Sequence, residues 1–328
     1  MVTRKSIAQA AGVAESTVSN VINGSKYVSD ELRERVLLAI SQNDYSPNAI
    51  ARSLVTKVTK HVGILVSDIL NPYYSEIAEG MEEVAHQNGY MVSLCLAHED
   101  TDKYLESIIS RRMDGLFVMA EGLTRERLFK LHRQGIALIA HSVDFASDIS
   151  IDYRAVVTSL MEHLIHLGHR KIAIVNAEPL DDENTRYAGY RDTLKKHGVP
   201  MYPEFVLEVE RSLSPNYYAG YEAMKKILML KRRATAVFLA NDVLAVGAIK
   251  AVREAGLRVP EDISIAGCDN IHLTEYSFPT LTTIHTPKRE IGQHAMNLLL
   301  DQINEKKYAI IPLKLELVIR ESTGPVRR

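Results

Sequence analysis

The chain has 328 residues, 46% hydrophobic and 24% charged, with a formal net charge of −2. A chain of that length exceeds what one hydrophobic core organises, so two or three compact units are expected. Its longest apolar runs, such as "HVGILVSDIL" (61–70) and "ALIAHSV" (137–143), fall far short of the roughly 20 residues that a membrane-spanning helix needs.

The opening "MVTRKSIAQAAG" carries basic residues with no apolar stretch behind them, so no signal peptide is read there and a cytoplasmic protein is expected. Residues 1–60 hold eight Lys/Arg (Arg4, Lys5, Lys26, Arg33, Arg35, Arg52, Lys57, Lys60) against five acids, a net of +3, which leaves the remainder at −5. A basic head on an acidic body suits a polyanionic partner for the head alone. Cys95 and Cys268 lie far apart in strand-like runs, which reads as buried thiols rather than a disulfide or a metal clip.

Three short helices are expected in the head. Ile7, Ala8, Ala10 and Ala11 give a small-residue helix that Gly12 terminates, and Val18, Val21 and Ile22 recur at helical spacing in the next. Ser29 is the N-cap expected for a third, with Asp30 and Glu31 in its first turn and Leu32, Val36, Leu37 and Ile40 as its buried stripe. Pro47 disfavours helix at Ser46 and marks a break.

From His61 the pattern changes. Strand-like runs "HVGILVS", "YMVSLCLA", "GLFVMA", "IALIAHSV", "KIAIVNA", "TAVFLAND", "ISIAGCDN" and "LTTIH" alternate with amphipathic helices, among them 74–88, 153–167, 185–197, 217–230, 242–255 and 288–304. Such alternation predicts parallel sheets covered on both faces. The number of elements exceeds one sheet, so two doubly wound subdomains are expected, with ligands bound outside the carboxyl ends of the strands.

Two helices joined at Gly12 and packed through alanines form a helix-turn-helix, whose second helix can enter a major groove. With Val18, Val21 and Ile22 facing inward, the polar residues of that helix are available to DNA. Thr17, Ser19 and Asn23 suit phosphate oxygens, and Glu15, Ser16 and Asn20 suit base edges. From this stretch alone, a solvated face of an ordinary helical hairpin stays open as the alternative.

The segments "SIAQAAGVAESTVSNVING", "VSDELRERVLLAI", "YSPNAIARSL", "NPYYSEIAEGMEEVAHQNGY", "EHLIHLGHRKIAIV", "TAVFLANDVLAVGAIKAVREAGLRVPEDISIAGCDN", "LTTIHTP" and "IRESTGP" together resemble the LacI/GalR family of bacterial transcriptional regulators, over essentially the whole chain. The resemblance implies an α/β core of two doubly wound parallel-sheet subdomains, similar to type I periplasmic binding proteins, behind an all-α helix-turn-helix headpiece. The implied organisation is a headpiece at 1–47, a hinge helix and linker at 48–60, and a core at 61–328 divided into 61–158 with 287–318 and 159–286 with 319–328.

The implied function is a homodimeric repressor of a pseudo-palindromic double-stranded operator, controlled by a small molecule and not an enzyme. Tyr27, Asn48 and Arg52 join the DNA-binding set by resemblance, and Ala51 and Leu54 match the hinge residues that enter the minor groove. A hinge helix so short is marginal alone and forms only when both subunits and DNA hold it. Asn20 stands where most members carry arginine, so adenine is expected in place of guanine at that half-site position. Ala14 replaces the family's usual serine cap, at a cost of about 1 kcal/mol.

By resemblance, the effector pocket draws on Tyr73, Tyr74, Asp152, Arg186, Asn241 and Asp269. Aromatic faces with carboxylate, amide and guanidinium groups suit a sugar or sugar derivative. For Asn241 and Tyr74, the alternative is that they only order their loops. His98, Glu121 and His141 are further candidates, and Tyr153 and Val156 depart from the family's usual "DN" loop.

The "IDY" of that loop resembles the catabolite-control branch, whose corepressor is a phosphorylated carrier protein. The positions that meet that partner are Asn297 and Asp301 here, where a cation is lost and another inverted, so a small-molecule effector is preferred. A solute-binding protein shares the core but would lack the basic head. The sequence shows no G-x-G-x-x-G, P-loop or G-x-S-x-G signal for an enzyme. His163, His166 and His169 have poor metal-ligand spacing, and no cofactor is expected. The short "VRR" after "VIRESTGP" carries no heptads, which favours a dimer over a tetramer.

Overall fold

The computed structural model describes residues 2–23, 26–45, 53, 56, 58–97, 101–110, 112–120, 123, 125–141, 149, 151–176, 180, 184–209, 216–304 and 312–327. The chain divides into two compact units, up to Thr59 and from Lys60 onward.

Among the described residues the first unit includes three helices, α1 (Arg4–Ala11), α2 (Glu15–Asn23) and α3 (Asp30–Gln42). Thr3 starts α1 with a capping box: its hydroxyl accepts from Ser6 N at 3.2 Å while its own N–H donates to Ser6 Oγ at 2.9 Å. Gly12 ends α1 in the left-handed region, φ 63°, where a side chain would be strained. Ile7, Ala8, Ala11, Val18, Val21, Val28, Val36 and Ala39 make the core, and Ile22, Leu32 and Ile40 pack on its rim.

One expectation for α3 fails and one holds in position only. Leu37 is 52% exposed, because the helical stripe that meets α1 runs through Val36 and Ala39 instead. Ser29 occupies the N-cap position of α3 with no side-chain cap hydrogen bond, so only Asp30 and Glu31 support that terminus.

The second unit holds two four-stranded parallel sheets. The first has order β2-β1-β3-β4, from β1 (His61–Val66), β2 (Met91–Leu96), β3 (Gly115–Val118) and β4 (Ala137–Ala140). The second repeats that order as β6-β5-β7-β8, from β5 (Ile172–Asn176), β6 (Val206–Glu208), β7 (Ala236–Leu239) and β8 (Ser264–Ala266). In register, Ile64 lies between Leu94 and Phe117, and Ile174 between Val206 and Phe238.

Helices α4 (Pro72–Gln87), α5 (Thr101–Ser110) and α6 (Arg125–Arg133) belong to the first sheet; α7 (Arg154–His166), α8 (Thr185–Lys196), α9 (Tyr217–Met229) and α10 (Asp242–Glu254) belong to the second. Both faces of each sheet are therefore apolar, which is why the strands read as continuous hydrophobic runs. Ile151 packs against both cores, and all of α7 lies with the second.

The chain then returns. Helix α11 (Lys288–Asn304) packs on α4 in the first core, and the antiparallel pair β9 (Thr283–His285) and β10 (Glu316–Val318) spans the return path. The tail rejoins the second core through Ile265 N donating to Ser322 O at 2.9 Å and Val326 N donating to Leu167 O at 3.0 Å. Cys95 and Cys268 are buried free thiols.

Each core contains one close helix crossing made by glycines. A Cβ on Gly80 would collide with Arg289 O and one on Gly292 with Ile77 O; Gly220 and Gly247 stand in the same relation to Leu244 O and Tyr217 O. Since backbone cannot yield as a side-chain tip can, Gly80→Ala is expected to lower unfolding free energy by about 2–3 kcal/mol, read as a shift of the denaturant midpoint.

Candidate nucleic-acid interface and effector cleft

Helix α2 buries Val18 and Val21 and leaves Glu15 and Ser16 exposed, with Thr17, Ser19 and Asn20 half-buried beside them. Tyr27, just beyond it, is 91% exposed. Asn23 is the last residue of α2, and its side chain lies outside the described residues, as do Asn48, Ala51, Arg52 and Leu54. One surface of a nine-residue helix thus carries a carboxylate, three hydroxyls and an amide, groups suited to base edges and phosphate oxygens.

In the core, both sheets place strands 1 and 3 of the local order side by side, with the connections leaving in opposite directions from there. Side chains at the carboxyl ends therefore face a crevice. Tyr73 and Tyr74 stand at the start of α4, where the Asn71 side chain accepts from Tyr73 N at 3.0 Å and Pro72 fills the first turn. Their rings meet edge to face with centroids 5.5 Å apart.

Tyr153, before α7, is 4% exposed, and the Arg186 guanidinium lies over its ring at 3.7 Å. Its hydroxyl is 3.5 Å from Thr286 Oγ1. Burial raises the phenol pKa of both Tyr73 and Tyr153, with Asp269 adding to the rise and Arg186 opposing it. Burial likewise pushes the Cys268 thiol up, against the pull of Arg186. Tyr73, Tyr74, Tyr153, Arg186, Cys268 and Asp269 form one electrostatic neighbourhood.

Two other expected pocket residues have local duties. Asp152 is exposed and its Oδ1 accepts from Arg154 N at 2.9 Å, while Asn241 Oδ1 caps α10 by accepting from Leu244 N at 2.9 Å. Val156 packs into the second core rather than the crevice. His141 is buried with Nδ1 2.8 Å from Ile149 O; His98 and Glu121 lie outside the described residues.

Asp269 sits at φ 116° and Asn270 at φ 54°, both unusual for residues with side chains. Three ionisable residues hold them there. Lys288, 3% exposed, donates from Nζ to Asp269 O at 2.6 Å and Asn270 O at 2.9 Å, and pairs with Glu76 Oε2 at 3.3 Å. Asp242, fully buried, accepts from Ile271 N at 2.9 Å and from the Thr283 hydroxyl at 2.5 Å. Arg320 donates to Asn270 Oδ1 and to Leu281 O, each at 2.9 Å.

Burial raises the Asp242 carboxyl far above the usual carboxylate range, and Asp269 reinforces it. Sequence reasoning missed Lys288 and Asp242. A signal for Lys288 existed: a cation opening a helix opposes the helix dipole, so its place there calls for another partner.

Of the three histidines singled out earlier, His166 is exposed and the other two meet the tail. His163 Nε2 lies 3.0 Å from Thr323 Oγ1, and His169 lies 3.0 Å from both Thr235 Oγ1 and Gly324 O, while no group able to hold a metal occurs among the described residues. On α11, Asn297 Nδ2 donates to Gln293 O at 2.9 Å within its own helix, and Asp301 is half-buried. No helix among the described residues is long and apolar enough to cross a membrane.

Residues 3–48 match the family described as bacterial regulatory proteins, lacI family, and residues 161–323 match the periplasmic binding protein-like domain. The HTH-type transcriptional repressor PurR of Haemophilus influenzae strain PittEE is 38% identical over 342 residues, covering 99% of this chain and 100% of that protein. Among solved structures, the lac repressor dimer bound to operator and the anti-inducer ONPF is similar at a TM-score of 0.82 and 27% identity, with 98% and 99% of the two chains covered. A LacI family transcriptional regulator from Enterococcus faecium with bound ribose is similar at 0.72 and 31%, covering 81% of this chain and 100% of that one.

The Asp242 environment favours a neutral side chain, so Asp242→Asn is expected to stay within about 1 kcal/mol of wild type in a denaturant melt. Asp242→Ala, which strands the Ile271 N–H, should lose about 2–3 kcal/mol.

Proposed function

The chain belongs to the lacI family of bacterial regulatory proteins, and on that footing we propose that it is a homodimeric, cytoplasmic repressor whose affinity for a pseudo-palindromic operator is set by a small molecule. What supports this reading is the presence, on one chain, of a helix-turn-helix with a polar α2 surface and a core in which Tyr73, Tyr153, Arg186 and Asp269 lie in one buried neighbourhood. Glu15, Ser16 and Asn20 are assigned to base edges, Thr17, Ser19, Asn23 and Tyr27 to the backbone, and Asn48, Ala51, Arg52 and Leu54 to the hinge contacts. A transcriptional regulator of this kind is not an enzyme.

A second copy is the partner that suits the exposed apolar surface of the core. Strand β2 is an edge strand with Met91 59% and Leu94 45% exposed, and the turn after β8 exposes Tyr276 and Phe278 beside a groove of about 490 Å³ lined by Val246, Ile249 and Leu273. Uncovered, such an edge invites indiscriminate pairing. The operator-bound lac repressor neighbour is itself a dimer.

For the effector, a carbohydrate is supported by the ribose-bound neighbour and by aromatic faces beside Arg186 and Asp269. A planar nitrogen heterocycle is the second reading. It is favoured because Asp152 commits Oδ1 to Arg154 N and Asn241 commits Oδ1 to a helix cap, which thins the fork of groups a polyol needs, while three tyrosine rings remain. Asn297 and Asp301 offer no cation to a phosphorylated protein.

Coupling to DNA is assigned to Lys288, which ties the loop bearing Asp269 to Glu76 on the helix bearing Tyr73 and Tyr74. A ligand that binds one subdomain arrangement better than another shifts that equilibrium, and operator affinity with it.

Calorimetric titration with ribose and with guanine separates the two effector classes: heat with one that disappears in Arg186→Met identifies the class, and heat that persists in Arg186→Met removes the cleft from the account. In a random-duplex selection, wild type should enrich adenine at the position read by Asn20, and Asn20→Arg should convert it to guanine, a discrimination of about 1–3 kcal/mol. Unchanged base preference would show that Asn20 does not read the base.

A further inference from the structure

Arg35 belongs to the basic headpiece, yet its guanidinium is turned onto protein. From α3 its Nη2 donates to Ala11 O at 2.7 Å and to Gly12 O at 3.5 Å. These carbonyls close α1 and open the turn into α2. The last carbonyls of a helix have no partner within it and form the negative end of its dipole. Gly12 N and Val13 N turn back to Gln9 O and Ala8 O, at 3.2 and 3.0 Å, which satisfies the earlier carbonyls and leaves Ala11 and Gly12 to Arg35.

Gly12 is required here by its φ of 63°, which suits glycine. The Arg35 guanidinium packs directly over it, where a Cβ would stand 2.7 Å from Nη2 and displace the side-chain tip. Helix α2 begins at Glu15, soon after that turn, while α3 is held to α1 next door through Val36, Ala39, Ala8 and Ala11. The hydrogen bonds of Arg35 join the third helix to the turn that sets where the recognition helix starts.

We propose that Arg35 is a positioning residue for operator recognition, acting through the α1–α2 turn and not by neutralising a DNA phosphate. The distinction is measurable, because a phosphate ligand and a turn clamp leave different signatures in salt. A lysine or arginine on phosphate contributes to all duplexes alike, and its loss lowers the salt slope by about one. A clamp that aims α2 contributes to the preferred duplex alone.

The test uses the full-length protein, its selected operator duplex and a random-sequence duplex of equal length, with Kd measured from low to moderate salt. Arg35→Met keeps the apolar stem and removes the donors. The expected result is a loss of at least about 10-fold on the operator, a change under about 2-fold on the random duplex, and an unchanged salt slope on both. Arg35→Lys, able to reach one carbonyl, should recover part of the operator loss.

A slope that falls by about one, with equal losses on both duplexes, would make Arg35 a phosphate ligand and overturn the proposal. So would operator affinity equal to wild type in both variants, or a headpiece so loosened in both that random-duplex binding fails as well. The proposal rests on operator recognition by α2, and the wild type tests that separately: no preference between duplexes defeats the recognition reading, whereas a preference that Arg35→Met retains defeats this one.

Discussion

The core depends on a buried ammonium group. Lys288 lies almost wholly out of solvent, where an unpaired charge is prohibitive, and it is tolerated because carbonyls of Asp269, Asn270 and Thr286 and the Glu76 carboxylate surround it. In return it holds two consecutive residues in the left-handed half of backbone space. Asp242 and Arg320 grip the same loop from other sides. That loop carries Asp269, so the setting of Asp269 beside Tyr73 and Arg186 and the path of the chain between subdomains share one set of polar contacts.

The headpiece solves its packing differently. With so few residues it cannot bury large side chains in number, and it relies on alanines that let α1 and α3 approach closely around Ile7, Val18 and Val36. Small cores of this kind have little margin, which gives weight to caps and turn contacts such as Thr3 with Ser6 and Arg35 with Ala11. The glycine-mediated crossings in the two halves of the core show the same economy at larger scale, since each brings two helix backbones into direct contact.

Much of this was legible beforehand because the sheets are covered on both faces. Continuous apolar strands such as "KIAIVNA" and the amphipathic helices between them announce themselves by composition. Strand β6, three residues at a sheet edge with one end exposed, gave no comparable run. Leu37 misled because four apolar residues crowd one stretch of α3 and tertiary contact chose among them. Tyr73, Arg186 and Asp269, grouped by resemblance, share one electrostatic neighbourhood, whereas the contact of Asp152 with Arg154 N and the cap made by Asn241 depend on backbone geometry that spacing does not encode. Lys288 and Asp242 were missed because most of their partners, among them Glu76, Asp269 O, Ile271 N and the Thr283 hydroxyl, lie far away in sequence.

The account holds that the contacts around Lys288, remote in sequence from the DNA-binding helices, set the affinity for operator. The direct measurement is operator binding by full-length Glu76→Gln/Lys288→Met, which removes both charges together so that neither is left buried alone. The account predicts an operator Kd shifted by about 5-fold or more, the usual scale of allosteric coupling, with random-sequence binding unchanged. An operator Kd equal to wild type in a folded double variant would contradict it.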